Sequence, residues 1–483
     1  MKKLFYFIIL LCFAFSTNAQ IQFSRENSLN GRNTFEPTKD DDTPFEGFKL
    51  QIGAGFTQDL QMLTSENKAN YQATSGTNKL NKNILYGSIV SQDSLKSTLS
   101  GFNTAEANLS FNVQLADGIR VLLENYMSAR HHNEFWVKGG YIQIDKLSMF
   151  GNPDWFNKYL RVKIGHFQPN YGDFGFRRSD GGNTIFNPFT ENLILDAFTT
   201  EIGGEVYVFP TKNIMVMGGA SAGFINGNIA VQPDAINNYK VVATKRTPSL
   251  FGKVAYDNHG ESLRYRLSAS VYYNSNIQRN TLFAGDRTGS HYFGVMEPAT
   301  IGGLPISIGT SPTNTATQAG PNFTSGRFDP GMSNKVTAIN ISPFVKFGGL
   351  EVQGGIDLIS GGVYGDTLTE GGKLKWGSRA WTQFYGEAVY RLFNDAVYVG
   401  ARYVQASGEP SGLKYSDKDS GKTAGTQAKV NINRLAFVAG YAPVKNLLLK
   451  LEYVTQQYKD FPWKDYRNEG KFSGLMVEAV VGF

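Results

Sequence analysis

The 483-residue chain has a single cysteine, Cys12, and it lies inside an N-terminal apolar run. Once that run is removed no thiol remains, so disulfides, cysteine nucleophiles and thiolate metal sites are all excluded. Long hydrophobic runs are missing as well. Beyond the first twenty residues nothing approaches the roughly 18 uninterrupted apolar residues of a spanning helix. Histidines are few: His131, His132, His166, His259 and His291. The His131-His132 pair lies at a predicted hairpin tip and lacks a third ligand at a readable spacing. Neither catalysis nor a metal or other cofactor is therefore expected. Charge of one sign is weak too. The net charge is +6, or +4 without Lys2 and Lys3, and the basic residues form no runs. Nucleic acid is not an expected partner.

What is present begins with Lys2-Lys3, the run LFYFIILLCFAF and then STNAQ, the charged, apolar, small-residue order of an export signal. Cleavage after Ala19 makes residues 1–19 the signal peptide. Residues 20–45 are polar and include TKDDDTP between Pro37 and Pro44. They are expected to form a solvated periplasmic leader, too short for the plug domain of an energy-coupled receptor.

From residue 46 a period of two sets in. In TAEANLSFNVQLA (104–116), Ala105, Ala107, Leu109, Phe111, Val113 and Leu115 alternate with Glu106, Asn108, Ser110, Asn112 and Gln114, and Asp117-Gly118 makes a two-residue hairpin turn. Sixteen such stretches are expected at 48–56, 104–116, 119–130, 134–144, 160–167, 201–209, 213–223, 248–257, 263–274, 336–347, 350–359, 379–392, 397–405, 430–441, 446–456 and 472–483. Counted back from Phe483, the connections alternate between short turns and long loops. That is the pattern of a bacterial outer-membrane barrel. The expected fold is all-β: a transmembrane antiparallel β-barrel over 46–483, with about 16 strands, short periplasmic turns and long extracellular loops. Only every second residue of such a strand meets lipid, which reconciles a membrane protein with 41% hydrophobic residues.

The stretch LRVKIGHFQPNYGDFGFRRSDGGNTIFNPFTENLILDAFTTEIGGEVYVF (160–209) adds a more specific signal. RVKIGHFQP, a Gly-containing segment and then EIGGEV resemble the phosphate-selective porin O/P-like family of outer-membrane porins. The resemblance implies a passive sixteen-stranded channel, often a homotrimer, with the third outer loop (168–200) folded into the pore. The chain departs from the pattern where a second proline would follow Pro169, having Asn170-Tyr171-Gly172 instead, and it has no regular ladder of lumen arginines.

The alternation sorts charges onto the lumen face. The inward basic set includes Arg120, Arg130, Lys138, Arg161, Lys163, Lys253, Arg264, Arg266, Arg402, Arg434 and Lys450, and the acids include Glu106, Glu124, Glu201, Glu205, Glu387, Glu452 and Glu478. The basic excess leans towards anions. Loop 168–200 either stays outside or folds back. If it folds back, Arg177 and Arg178, with Asp180 beside them, are the candidates for a fixed constriction. Phe483, the terminal aromatic of a closing strand, is the expected signal for the barrel-insertion machinery. Tyr458, Phe461, Trp463 and Tyr466 are expected to anchor at the membrane interface, and Asp417 and Asp419 to sit in a solvated loop.

The function expected is an outer-membrane porin passing small hydrophilic solutes or ions by passive diffusion, in contact with lipid and lipopolysaccharide. The alternative is a barrel with a blocked lumen, acting as an adhesin, scaffold or component of a surface complex.

Overall fold

The computed structural model describes residues 20–41, 43–68, 88–90, 95–103, 106–128, 135–223, 235–237, 240–242, 247–260, 262–277, 279–284, 290–297, 300–301, 304–305, 325–363, 367–370, 373–376, 378–463 and 465–483. The expected signal peptide 1–19, Arg130 and the pair His131-His132 lie outside the described residues.

The chain forms a closed antiparallel barrel of sixteen strands. They are β1 (Lys49–Asn67), β2 (in two pieces, Leu95–Asn103 and Glu106–Ala116), β3 (Ile119–Ser128), β4 (Trp136–Ile144), β5 (Leu160–Phe167), β6 (Glu201–Thr211), β7 (Ile214–Ser221) and β8 (Ser249–Asp257). Then follow β9 (Leu263–Asn274), β10 (Lys335–Phe347), β11 (Leu350–Gly362), β12 (Arg379–Leu392), β13 (Val397–Gly408), β14 (Val430–Val444), β15 (Leu447–Lys459) and β16 (Lys471–Gly482). Each strand pairs with its sequence neighbours. β1 closes the ring on β16, from Gly55↔Gly482 to Glu66↔Lys471. Closure leaves no edge, which is what a sheet in hydrocarbon requires.

The faces are inverted relative to a soluble protein. Along β9, Leu263, Tyr265, Leu267, Val271 and Tyr273 are exposed on the outside, Leu267 at 54%, whereas Arg266, Ser268, Ser270, Tyr272 and Asn274 are buried inside. The same order holds on β15, with Leu449, Leu451 and Tyr453 out and Lys450, Glu452 and Val454 in. Exposed aromatics gather near the short-turn rim: Phe48, Phe347, Phe393, Tyr441 and Phe483. Together they make the lipid-facing band and aromatic girdle of an outer-membrane barrel.

The turns follow local chemistry. Asp117-Gly118 joins β2 to β3 with Gly118 at φ +69, and a Cβ there would stand 2.4 Å from Lys146 Cβ. The one long periplasmic connection, 145–159, contains a short helix, Asp154–Tyr159, that buries Phe156.

Three expectations need correction. The first outer loop is shorter than 57–103, because β1 runs on to Asn67 and Leu95–Asn103 returns against it. Those 19 residues exceed the roughly 9–11 that span a bilayer, so β1 stands well clear of the lipid. Its outer half carries polar residues on the outside (Gln58, Thr64 and Glu66), which hid the strand. The leader is not solvated. Ile21, Phe23 and Phe35 are buried, and the polar residues bond to the lumen wall: the Gln22 N–H donates to Gln114 Oε1 at 2.9 Å and Asn33 Nδ2 to Glu351 Oε1 at 2.7 Å. A polar segment beside a polar lumen has partners there that bulk composition does not reveal. Finally, Tyr458 and Phe461 are not interfacial. They are buried, and Phe461 packs edge-on against both Phe328 (5.9 Å) and Tyr458 (5.8 Å). Tyr458 follows the inward parity of β15, so its ring points to the lumen.

The sidedness can be tested by labelling in intact cells, with Cys12 as the only native cysteine. A Ser420→Cys probe on the β13–β14 loop should react with an impermeant maleimide, and Asn394→Cys on the β12–β13 turn should not. The reverse pattern would invert the topology.

Candidate functional site

Residues 168–200 leave β5 and enter the lumen as three single-turn 3-10 segments, Phe174–Phe176, Ser179–Gly181 and Thr184–Phe186. Their moorings lie mostly on one side of the barrel. The Gly172 N–H donates to Ser270 Oγ (2.9 Å) on β9, and Tyr171 Oη to Asp357 (3.0 Å) on β11. Asp173 pairs with Lys253 and Arg266, both at 2.8 Å, on β8 and β9. Further along, the Leu195 N–H donates to Gln383 (2.7 Å), Arg402 to the Glu191 carbonyl (2.7 Å) and Arg434 to the Asn192 carbonyl (2.7 Å). The Thr190 N–H donates to Glu452 at 2.9 Å on β15. The segment is therefore tied from β8 to β15. Its remaining flank faces β1–β6.

The leader enters from the short-turn end and joins the same network. Glu36 pairs with Arg266 (2.7 Å) and Lys253 (3.0 Å), and Lys39 with Asp145 (3.1 Å). Arg25 donates to the Phe176 carbonyl at 2.7 Å and lies over the Phe186 ring, 3.5 Å from its centre. Leader and inward segment thus brace each other.

Between this assembly and the β1–β6 wall lies a cavity of about 340 Å³. Arg120, Lys138, Arg161, Lys163, Glu124 and His166 form much of its wall; Gln168, Asn170 and Gly181–Asn183 face them from the segment, and Arg25, Glu26 and Glu36 from the leader. Gly182 is in the left-handed region at φ +74, and a Cβ on it would come 3.6 Å from Glu124 Oε1. The segment passes the wall closely there. Arg120 is held by neutral groups, donating to Gln143 Oε1 at 2.6 Å, Asn112 Oδ1 at 3.3 Å and Tyr141 Oη at 3.4 Å. Lys138 lies over the Phe198 ring (4.8 Å) and the Tyr126 ring (5.3 Å). Lys163 reaches Glu205 at 3.3 Å, and Arg161 meets Asp145 at 2.8 Å.

The sequence-derived residues divide accordingly. Arg120, Arg161, Lys163 and Glu124 border the cavity. Glu205 sits behind it, accepting from Tyr207 Oη (2.7 Å) and the Asn170 N–H (2.9 Å). Glu201 is held away from it by Tyr272 Oη (2.5 Å) and Asn280 (3.3 Å). Arg264 pairs with Asp257 at 2.6 Å near the short-turn rim, Arg266 anchors Asp173, and Arg402 joins Glu387 at 2.7 Å.

Arg177 and Arg178 are both buried in ion pairs and do not line this cavity. Arg177 pairs with Glu387 and donates to Asn33 Oδ1 at 2.7 Å. Arg178 is fully buried against Asp196 at 2.5 Å and stacks on Phe198 at 3.9 Å. Their charges are consumed in holding the segment down. The Asp180 side chain lies outside what is described. Asp419 is no free loop acid either, since it accepts from the Ser416 and Trp463 N–H groups, both at 2.6 Å, and so ties two outer loops together.

The sequence reading missed Arg25, Glu36, Lys39, Asp173, Glu191 and Asp196. A signal for them existed. The lumen face of the strands is rich in arginine, and the leader and the 168–200 segment both carry acids able to meet it.

No protein-family model matches the chain, and no curated protein is similar to it. Its fold is similar to several solved outer-membrane structures. An anion-selective porin from Comamonas acidovorans is 10% identical, with 90% of this chain and 100% of that one covered and a TM-score of 0.46. The outer membrane channel DcaP of Acinetobacter baumannii is 12% identical, covering 91% and 99%, also at 0.46. Pseudomonas aeruginosa OccK2 (OpdF) is 9% identical, covering 91% and 100%, at 0.40. Such distant likenesses carry no function across. The resemblance read in 160–209 remains a resemblance.

The anchoring role of the two arginines is open to test. Arg177→Ala with Arg178→Ala should leave ion selectivity unchanged and lower the unfolding temperature in detergent, by less than the roughly 3–5 kcal/mol per pair of a stranded buried charge, because Glu387 keeps Arg402 and Asp196 keeps Arg327. A selectivity change without loss of stability would return them to the passage.

Proposed function

We propose that the chain is an outer-membrane porin for small hydrophilic solutes, with a weak preference for anions, and that solutes pass between the β1–β6 wall and the inward segment. One observation carries this reading: Arg25, Arg120, Lys138, Arg161 and Lys163 surround the cavity, against Glu26, Glu36 and Glu124. Low-dielectric walls focus the field of such charges on anything inside. The preference is weak because acids share the lining, and because Arg161 and Lys163 already face Asp145 and Glu205. A homotrimer, lipid and lipopolysaccharide contacts, and recognition of Phe483 by the insertion machinery belong to the same reading. Phe483 is exposed on the rim while its N–H donates to the Ala54 carbonyl at 3.0 Å.

A second reading has its own support. Away from the cavity, the leader and the inward segment fill the lumen with paired charges. A barrel filled in this way also suits a scaffold or surface-complex component.

Planar-bilayer recording of the refolded full chain separates the two. Small conductance steps with an anion-directed reversal potential in a salt gradient are expected. Arg120→Ala with Lys138→Ala should move that potential towards cations while the barrel still migrates as folded on unheated gels. A silent wild-type barrel would favour the filled-lumen role.

A further inference from the structure

The seam that closes the barrel sets two carboxylates face to face. Asp59 on β1 and Glu478 on β16 are direct register partners, and both point inward with no solvent exposure. Like charges directly opposed across a sheet repel, and burial strengthens the effect. Lys450, opposite Glu478 on β15, reaches one of its oxygens at 2.5 Å. That offsets one charge. Asp59 is relieved less: neither of its oxygens accepts a hydrogen bond, and His291 Nδ1 stands 3.5 Å away. A fully buried carboxylate left so bare points to an ion or water that satisfies it.

The third group comes from the long β9–β10 connection. Its residues 290–293 are docked on the wall by a reciprocal bond: the Phe293 N–H donates to Gln61 Oε1 (2.9 Å), and Gln61 Nε2 to the Phe293 carbonyl (3.0 Å). The His291 N–H donates to Glu191 at 2.7 Å. This places His291 Nδ1 2.7 Å from Glu478 Oε2 and 3.5 Å from Asp59 Oδ2. One oxygen from each carboxylate and one imidazole nitrogen lie within 4.8 Å of one another.

We propose that Asp59, His291 and Glu478 bind a divalent transition-metal ion of the zinc class, clamping the β9–β10 connection onto the closing seam. One nitrogen and two carboxylate oxygens suit such an ion better than calcium, which takes oxygen ligands alone. Ligand atoms around a tetrahedral zinc stand roughly 3.3 Å apart. The Asp59 distance already fits, and the Glu478 contact opens by a fraction of an ångström as metal replaces the hydrogen bond. A neutral imidazole is the ligand, so binding releases any second ring proton to solvent and weakens as pH falls. Lys450 keeps its carboxylate oxygen and limits the negative charge at the site.

The test uses the folded full chain in detergent, stripped with EDTA, dialysed and then given Zn²⁺ alone. Elemental analysis should find about one ion retained per chain, with a raised unfolding temperature. Asp59→Asn and His291→Gln keep side-chain size, and each should weaken Zn²⁺ binding by at least tenfold while the barrel remains heat-modifiable on gels. Absence of stoichiometric retention by the folded wild type would overturn the proposal, whether or not the variants fold. So would wild-type retention in both variants, which would place the ion elsewhere.

Discussion

Closure of β1 on β16 is the constraint on which everything else depends. Because the ring leaves no free edge, each strand has a ladder partner on both sides, and the outer face can be given to lipid. The inner face then inherits the polar half of every strand. Arginines, lysines and carboxylates that point into so confined a space need partners or water, because an isolated buried charge is costly. The interior of this barrel is an answer to that requirement. The inward segment supplies Asp173, Glu191 and Asp196 to arginines and lysines, and the leader adds Glu36 to the Arg266–Asp173–Lys253 group.

These interior ties also explain why the leader and the inward segment belong to one device. Arg177 bridges Asn33 of the leader and Glu387 of β12, and Phe35 of the leader packs edge-on against Phe176 (5.6 Å) and Phe344 (5.5 Å). Displacing either segment would strand charges contributed by the other. The two are joined both directly and through the wall.

The barrel was legible because lipid imposes a rule on each strand. Alternation of period two and loop lengths that differ by side are local or countable, and Leu263–Asn274 can be read by eye. The interior was less legible because its pairings join residues far apart in sequence. Arg266 with Glu36, or Arg434 with the Asn192 carbonyl, leaves no local trace. The pairing of the arginines at 177 and 178 was hidden for the same reason. Two adjacent cations in a glycine-rich loop look free until Glu387 and Asp196 are found beside them. The polar outer half of β1 failed differently: once a strand rises above the membrane, the lipid rule that makes it readable no longer applies.

The position of the cavity follows from side-chain volume as much as from charge. On the mooring side, Tyr272, Trp381, Tyr385 and Tyr398 are all buried and reach into the lumen. On the other side, glycines border the open space from both directions: Gly53 and Gly55 on β1, Gly139 and Gly140 on β4, and Gly172, Gly175, Gly181 and Gly182 on the segment. Large residues occupy one half, whereas missing side chains hold the other half open. Charge then decides what that space favours. Arg120 and Lys138 reach it from the wall without a carboxylate cancelling Arg120 at contact distance, since its partners are amides and a phenol. A neutral cradle fixes a guanidinium in place yet preserves its field, and that is what supports the weak anion preference proposed above.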